Sequence, residues 1–198
     1  MKTEIEAKFP DVDVALLRIK LKEVGATQEH GEILMRRSNF DYPERILDKK
    51  GGWVRVRDEG SKITLSYKQL NDRTLHGTKE VSVDVGDFEK TCEFLNAIGL
   101  EVKAIQETKR EKWVYKGVEI TIDTWPWIPT FVELEAESEQ SIKEVAQDLG
   151  FDWKDAMHGS VETVYQMHYD FSESEIDHWE SITFIPEPEW LTVRKKET

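Results

Sequence analysis

The 198-residue chain has little cysteine and no long apolar run, and each absence excludes a class of protein. Its single cysteine, Cys92, cannot form an intramolecular disulfide, so a disulfide-stapled secreted domain is excluded. No stretch approaches the ~20 apolar residues that span a bilayer, and the N-terminus shows no signal-peptide pattern. We therefore expect a cytoplasmic globular protein whose length is sufficient to bury a core.

Two common site signatures are also missing. The chain has 5 histidines, and none of them is placed at metal-ligand spacing from another. The pair Gly51-Gly52 has no GxxxxGK[ST] pattern around it, so it does not predict a phosphate-binding loop. A histidine-based metal centre and a P-loop nucleotide site are therefore not expected.

The charge balance limits the partners of the chain. There are 27 Lys and Arg residues against 40 Asp and Glu residues, and the formal net charge is -13. This negative field repels nucleic acid and anionic membrane surfaces, so we expect neither as a partner. A local cationic pocket is still compatible with this charge.

Alternating apolar and polar residues predict a chain made mainly of strands. The predicted strands lie at about 3–9, 31–42, 53–58, 62–70, 77–85, 101–115, 118–124 and 130–137. Four helices are predicted to start at capping residues and to end near residues 24, 99, 150 and 169; the caps are Asp11, Asp87, Ser138 and Ser160. Cys92 falls on the apolar face of the second helix, which indicates a packing role.

Residues 171–198 differ in character from the rest. Ser172 and Glu175 have the spacing of a capping box, and Pro186 and Pro188 end the short helix that follows. We interpret this segment as an appendage and leave both a packing role and a lid role open.

The strands pair one apolar face with one charged face, and the charges are grouped by sign. Glu4 and Glu6 are two residues apart, as are Glu133 and Glu135 in another strand. Side chains at this spacing lie on one face, about 7 Å apart, and crowded like charges need a counter-ion. The pair of Arg55 and Arg57 poses the same problem with opposite sign. A divalent cation and a polyanion would satisfy the two sets, whereas a solvated sheet face is the alternative.

The segment Glu4-Ile5-Glu6-Ala7-Lys8 resembles the ExExK signature of the CYTH, or triphosphate tunnel metalloenzyme, superfamily. Later segments resemble that family's strands in the same order: Asn39-Phe40-Asp41-Tyr42-Pro43, Trp53-Val54-Arg55-Val56-Arg57, Leu65-Ser66-Tyr67-Lys68, Lys79-Glu80-Val81, Ile120-Thr121-Ile122-Asp123 and Phe131-Val132-Glu133-Leu134-Glu135. The resemblance implies a tunnel domain at 1–170 and a C-terminal extension at 171–198. It also implies an α+β fold, namely an eight-stranded antiparallel β-barrel with charged residues inside and helices packed outside.

The resemblance assigns residues to the tunnel. It implies that one or two Mg2+ or Mn2+ ions are held by Glu4, Glu6, Asp123, Glu133 and Glu135. It implies that a triphosphate is bound by a second set, in which Glu80 orients a cation or water: Lys8, Arg37, Arg55, Arg57, Lys68, Glu80, Arg110 and Lys112. The catalytic residues would be Lys8, which stabilises charge or positions the nucleophile, together with Glu6 and Glu133.

Two positions depart from the family pattern. Thr108 stands where the family has lysine, and either Lys109 or Lys112 is expected to compensate. Arg37 stands where members often carry a neutral polar residue, and it would add an anion contact. Which side chains of the strand around Arg110 face the lumen is left open by the sequence.

The implied function is metal-dependent hydrolysis of tripolyphosphate, ATP or thiamine triphosphate. A class IV adenylate cyclase, which makes cyclic AMP and pyrophosphate from ATP, is the alternative, followed by a non-catalytic nucleotide or polyphosphate sensor. Packing roles are favoured for Trp125, Trp127 and Trp190, with stacking on a substrate ring left open. Family members are often dimeric, which suggests a homodimer.

Overall fold

The computed structural model of the chain describes residues 1–72 and 74–196. These residues form nine strands: β1 Lys2–Phe9, β2 Thr27–Asp41, β3 Gly52–Asp58, β4 Ile63–Leu70, β5 Thr78–Val85, β6 Glu101–Tyr115, β7 Val118–Thr124, β8 Phe131–Ala136 and β9 Ser181–Ile182. They also form six α-helices: α1 Val14–Glu23, α2 Phe88–Ala97, α3 Glu139–Leu149, α4 Glu162–His168, α5 Glu173–Asp177 and α6 Glu189–Thr192. No helix in this described part of the chain is long and apolar enough to cross a membrane.

Eight of the strands close into an antiparallel barrel. Their order is β2-β3-β4-β5-β1-β8-β7-β6, and β6 pairs back with β2. The short β9 adds to β6 in parallel. The predicted eight-stranded barrel with helices outside is therefore confirmed, and closure leaves few exposed sheet edges.

Antiparallel pairing gives the barrel two distinguishable ends. β3, β5, β6 and β8 begin at one end, where β1, β2, β4 and β7 finish. We call this the extension end, because Ile105 and Gln106 near the start of β6 pair with β9. The other end is called the opposite end. Along each strand, alternate side chains point into the lumen or toward the outer helices.

The main core lies outside the barrel wall, between the wall and the helices. Leu17 and Leu21 of α1 and Ile142 of α3 pack there against Ile120 and Leu134 of the wall.

The caps of α2 and α3, at Asp87 and Ser138, are confirmed. The predicted cap of α1 at Asp11 is wrong: Asp13 accepts hydrogen bonds from Ala15 and Leu16, and the helix starts at Val14. Both aspartates suit a cap, so composition alone did not decide between them.

The other predicted helix start also needs correction. Ser160 does not cap α4, which starts at Glu162 after Val161 and has no side-chain cap. Cys92 is partly buried and packs beside Phe88 and Leu95 of α2, in agreement with its predicted packing role.

The C-terminal extension is packed against the barrel. The predicted capping box at Ser172 and Glu175 is present and opens α5. Ile176, Ile182 and Leu191 are buried against an aromatic cluster that includes Trp125, Tyr165 and Tyr169. Residues 197–198 of the predicted extension lie outside the described residues.

A charged tunnel as the candidate active site

A cavity of about 670 Å³ occupies the barrel lumen and is lined by side chains from all eight barrel strands. The alternation of the strands explains its chemistry, because the charged face of each strand points inward. Among the predicted site residues, twelve line this cavity: Glu4, Glu6, Lys8, Arg37, Arg55, Arg57, Lys68, Glu80, Arg110, Lys112, Glu133 and Glu135. The structure thus brings together the charged set that the sequence placed on separate strands.

An acidic wall is formed by β1 and β8, which place Glu6 opposite Glu135 and Lys8 opposite Glu133. Nζ of Lys8 lies 2.9 Å from Oε1 of Glu6 and 2.8 Å from Oε1 of Glu133. It also donates a 2.7 Å hydrogen bond to the carbonyl oxygen of Gly159, which follows the barrel. Although burial opposes the charged form, Glu133 and Glu6 raise the pKa of Lys8 above its ordinary value. Lys8 is therefore a cation that holds two carboxylates together.

The acidic wall has more carboxyl groups than cations. Burial and a hydrogen bond with Glu80 raise the pKa of Glu4 to about 8, despite the nearby Lys68. Burial, followed by repulsion from Glu133, raises the pKa of Glu135 to about 7. Burial also raises the pKa of Glu6. These shifts mean that the lumen lacks enough positive charge to keep every carboxylate ionised.

Lys68 and Glu80 connect the acidic wall to the basic wall. Nζ of Lys68 lies 2.8 Å from Oε2 of Glu4 and 3.5 Å from Oε2 of Glu80. The other oxygen of Glu80 lies 3.3 Å from Nη2 of Arg55. Against the cost of burial, a hydrogen bond with Glu4 and the charges of Lys68 and Arg55 lower the pKa of Glu80, which stays ionised. Glu80 is thus a structural counter-ion in the lumen, as well as a cavity residue.

A basic wall is formed by β2 and β3, which place Arg37 directly opposite Arg57. The Nε atoms of Arg37, Arg55 and Arg57 are all buried and have no hydrogen-bond partner among the described residues. Burial and repulsion from Arg57 lower the pKa of Arg55 to about 10. In the strand order, β2 and β3 lie across the barrel from β1 and β8. The two signs of charge therefore face each other across the lumen.

Arg37 is the least compensated of these cations. No carboxylate among the described residues lies within ion-pair distance of it, whereas Arg57 pairs with Glu59. Its side chain instead donates a 2.6 Å hydrogen bond to the Thr108 hydroxyl and lies over the ring of Trp125, 4.8 Å from the centroid. Burial, followed by repulsion from neighbouring arginines, lowers the pKa of Arg37 well below its ordinary value. A buried guanidinium without a counter-ion is costly, and an anion would relieve that cost.

Asp123 differs from the other predicted metal ligands, because Arg110 covers it and it does not line the cavity. It is fully buried, and its two oxygens accept hydrogen bonds of 2.6 and 2.9 Å from Arg110. Thr121 donates a further hydrogen bond to Asp123. Arg110 also lies 2.9 Å from Oε2 of Glu133, and these acids raise its pKa despite burial. A cation could reach Asp123 only if Arg110 moved aside.

The strand β6 shows which of its cations face the lumen. Arg110 and Lys112 line the cavity, and Lys112 contacts Glu29 and Glu119 near the opposite end. Lys109 points outward and pairs with Glu32. The residue beside Thr108 in the lumen is Arg37, from the neighbouring strand, so neither Lys109 nor Lys112 replaces the missing lysine there.

The tryptophans that the sequence singled out have different positions. Trp125 is buried, lines the cavity and packs edge-on against Tyr165. Trp127 and Trp190 lie outside the tunnel, where both pack against Trp179 of the extension.

Sequence reasoning did not identify the lining residues Lys103 and Asp177, because no short motif links a strand residue to an appendage 74 positions away.

The lumen has a donor set that suits a divalent cation. Within residues 1–72 and 74–196, no three His, Cys, Asp or Glu side chains are already arranged as a metal centre. Mg2+, however, is usually held by one or two carboxylates together with substrate phosphates. The carboxyl groups of Glu4, which is buried, and of Glu135, which is half-buried, have raised pKa values, and a cation would favour their ionised forms. The residues present therefore fit Mg2+ or Mn2+ brought in with an anionic substrate.

Comparisons with known proteins identify the fold. The family model described as CYTH domain matches residues 2–163. The structure of the PH1012 protein from Pyrococcus horikoshii OT3 has 21% identity and a TM-score of 0.67, over 81% of this chain and 98% of that chain. A candidate adenylate cyclase from Vibrio parahaemolyticus has 15% identity and a TM-score of 0.72, over 83% and 98%.

A third solved structure is a candidate adenylyl cyclase from Hippeastrum, described as revealing a dominant triphosphatase activity. It has 12% identity and a TM-score of 0.55, over 89% of this chain and 95% of that chain. At these identities the similarity establishes the shared barrel. No curated protein matches the chain in sequence.

Proposed function

Since the chain belongs to the CYTH domain family, we propose that its tunnel binds a triphosphate together with a divalent cation and hydrolyses it. The proposal rests on the arrangement of charge in one lumen. Guanidinium groups without full compensation lie on one side, and carboxylates with raised pKa values lie on the other. A triphosphate bound with a cation would satisfy both walls at once, which neither ligand could do alone.

The unpaired Nε atoms of Arg37, Arg55 and Arg57 are the single observation that carries the proposal. Buried donors are nearly always paired in folded proteins, so three orphans in one lumen point to acceptors supplied by a ligand. Arginine binds phosphate oxygens with two parallel hydrogen bonds, and a triphosphate offers several such oxygens. Lys68 and Arg110 would extend this contact surface toward the acidic wall.

The acidic wall supports a role for Mg2+ or Mn2+. Glu4, Glu6, Glu133 and Glu135 would provide the oxygen ligands, and Asp123 would join them only after releasing Arg110. When bound, such an ion neutralises phosphate charge and polarises the attacking group. Lys8 holds Glu6 and Glu133 side by side, so it positions the acidic groups around the reacting phosphate.

Hydrolysis requires little from the protein beyond position and charge, because phosphoryl transfer depends mainly on electrostatic stabilisation. With water as the nucleophile, the products are a diphosphate and phosphate. An adenylate cyclase would use the same lumen with a ribose hydroxyl as the nucleophile and would release pyrophosphate. The Hippeastrum protein, described with a dominant triphosphatase activity, has this barrel, which supports hydrolysis as the first reaction to test.

The test is product analysis with purified protein. The protein is incubated with Mg2+ or Mn2+ and with tripolyphosphate, ATP or thiamine triphosphate. Orthophosphate release is expected; cyclic AMP would identify a cyclase instead, and tight binding without turnover a sensor. Glu4→Gln and Glu133→Gln should abolish turnover, whereas Glu93→Gln on the exposed face of α2 should not. Full turnover in both lumen variants would refute the assignment of the acidic wall.

A further inference from the structure

The C-terminal extension forms part of the wall of the tunnel. Ser174, Ile176, Asp177, His178 and Trp179 line the same cavity as the arginines of the basic wall. These residues lie beyond position 163, where the match to the family model ends. The extension end of the tunnel is therefore built partly from residues that the family model does not match.

Lys103 fastens the extension to the barrel. Its Nζ lies 2.8 Å from Oδ1 of Asp48 and 2.7 Å from both carboxylate oxygens of Asp177. Asp48 belongs to the short 3-10 helix Asp48–Lys50 between β2 and β3, and Asp177 ends α5. One ammonium group thus joins a barrel strand, an interstrand loop and the extension. We call these three residues the clamp.

The ammonium group of the clamp is shielded from solvent, whereas its two carboxylates are partly exposed. The Lys103 side chain is 7% exposed, and it faces two carboxylates with one positive charge. Burial raises the pKa of Asp177, whereas the contact with Lys103 lowers that of Asp48 against burial. Removing the ammonium would leave two partly buried carboxylates facing each other, which is unfavourable.

Apolar packing holds the same segment in place beside the clamp. Ile176 and Ile182 are almost fully buried, and the amide of Ile105 on β6 donates to the carbonyl of Glu180. The extension therefore lies across the start of β6. At the opposite end, the cavity is lined by Lys112, Glu119 and Glu59 from barrel strands and a hairpin turn.

We propose that the extension, fastened by the clamp, closes one end of the tunnel, so that ligands enter and leave only through the opposite end. This inference rests on the proposed function, because it concerns how a polyphosphate reaches the basic wall. A tunnel with one mouth accepts only the terminus of a phosphate chain. A tunnel with two mouths would let a long chain pass through and bind by its internal segments.

The chain-length dependence of binding distinguishes the two arrangements. Binding of tripolyphosphate and of a long-chain polyphosphate to the full-length protein is measured in Ca2+ or EDTA, so that no turnover occurs. The dissociation constants are expressed per polyphosphate molecule. With one mouth, the two constants should agree within about twofold, because a short and a long polyphosphate each offer two termini. With two mouths, the long chain should bind more tightly in proportion to its internal segments.

Lys103→Met is the variant that tests the clamp, with Asp177→Asn as a milder second variant. Both variants should increase amide hydrogen exchange over residues 173–182. In both, the dissociation constant of the long-chain polyphosphate, per polyphosphate molecule, should fall about tenfold relative to that of tripolyphosphate. Lys50→Met removes an exposed lysine from the same 3-10 helix and should behave as the wild type.

Several outcomes would overturn the inference. Length-dependent binding by the wild type would show that the extension end is open. Faster amide exchange in the variants, with no change in how affinity depends on polyphosphate length, would show that the extension is not the barrier. Unchanged exchange in both variants would show that the clamp does not hold the extension in place. Failure of tripolyphosphate to bind at all would instead refute the proposed function. Binding of tripolyphosphate therefore tests the proposed function, and the dependence of affinity on polyphosphate length separately tests whether the extension closes the tunnel.

Discussion

Arg37 donates a 2.6 Å hydrogen bond to the hydroxyl of Thr108 across the pairing of β2 with β6. The two residues are the positions at which the sequence departs from its family pattern, and in the fold they are neighbours. A cation absent from one strand is matched by a cation on the next strand, so the lumen keeps its positive charge there. The two differences from the family pattern are thus one exchange, in which the cation missing at position 108 is replaced by the one at position 37. This exchange becomes visible only when the strand register is known.

Arg37→Met should weaken substrate binding without destabilising the ligand-free protein. A charge-assisted hydrogen bond contributes ~1.5–3 kcal/mol, so KM for tripolyphosphate should rise about 10- to 100-fold. The ligand-free variant should be at least as stable as the wild type, because methionine removes a buried charge that lacks a carboxylate partner. Steady-state kinetics and urea denaturation measure the two effects.

Arg36→Met is the matched control for this prediction. Arg36 is the preceding residue of β2 and points outward, where it contacts Asp58 and Glu89 at a half-exposed site. Its loss should leave KM unchanged and should cost no more than ~1 kcal/mol of stability. If Arg37→Met lowered stability strongly and left KM unchanged, Arg37 would be a structural residue.

Lys8→Met should have the opposite effect on stability. Lys8 is 4% exposed and contacts two carboxylates, so its removal leaves buried negative charges without their partner. Breaking such a pair typically costs ~3–5 kcal/mol, and urea denaturation at pH 7 should show a loss of this order. Turnover should also disappear, since Glu6 and Glu133 would repel each other. A stability equal to that of Arg37→Met would contradict the distinction between paired and unpaired lumen cations.

The strands and their charged faces could be predicted from the sequence, because alternation of apolar and charged residues is a local signal. The family resemblance, and not the alternation, implied that these faces point into a barrel lumen. The cap of α1 could not be predicted, since Asp11 and Asp13 have the same capping chemistry and only tertiary packing selects one. The pairing of Asp123 with Arg110 could not be predicted from the sequence either. It depends on the register of β6 against β7, which no single strand encodes.

The extension shows a different limit of sequence reasoning. The capping box at Ser172 was predictable, because it is a contact between neighbours in the chain. The contact of Asp177 with Lys103 joins residues far apart in sequence, and both are ordinary charged residues in their local context. The family resemblance therefore implied a tunnel, but nothing in the sequence indicated how one of its ends is built.

Asp41→Ala should destabilise the loop that carries the clamp residue Asp48. The buried Asp41 carboxylate accepts hydrogen bonds of 2.6, 2.9 and 2.8 Å from the amides of Tyr42, Leu47 and Asp48. Losing them leaves three amides to find other partners, which should cost roughly 3 kcal/mol in urea denaturation. Asp152→Ala removes one exposed capping contact, to Lys154, and should cost about 1 kcal/mol or less. Equal costs would show that the Asp41 contacts are not formed.

The stability of the metal-free protein should fall as the pH rises from about 5 to 8. Glu4 has a pKa of about 8 in the folded protein and an ordinary value of 4.5 when unfolded. Between these values the folded state holds a proton that the unfolded state releases, so each pH unit costs at most ~1.4 kcal/mol for this group. Glu135, with a pKa of about 7, acts in the same direction.

Glu4→Gln tests this pH dependence, because glutamine resembles the protonated acid. In EDTA, its free energy of unfolding should change less between pH 5 and 8 than that of the wild type. Mg2+ should stabilise the wild type more at pH 8 than at pH 6, since a cation replaces the protons that the carboxylates hold. Below about pH 4.5 both proteins should lose stability, because Glu80 and Glu133 have lowered pKa values and must then be protonated. An identical pH slope in the variant would place the raised pKa elsewhere than at Glu4.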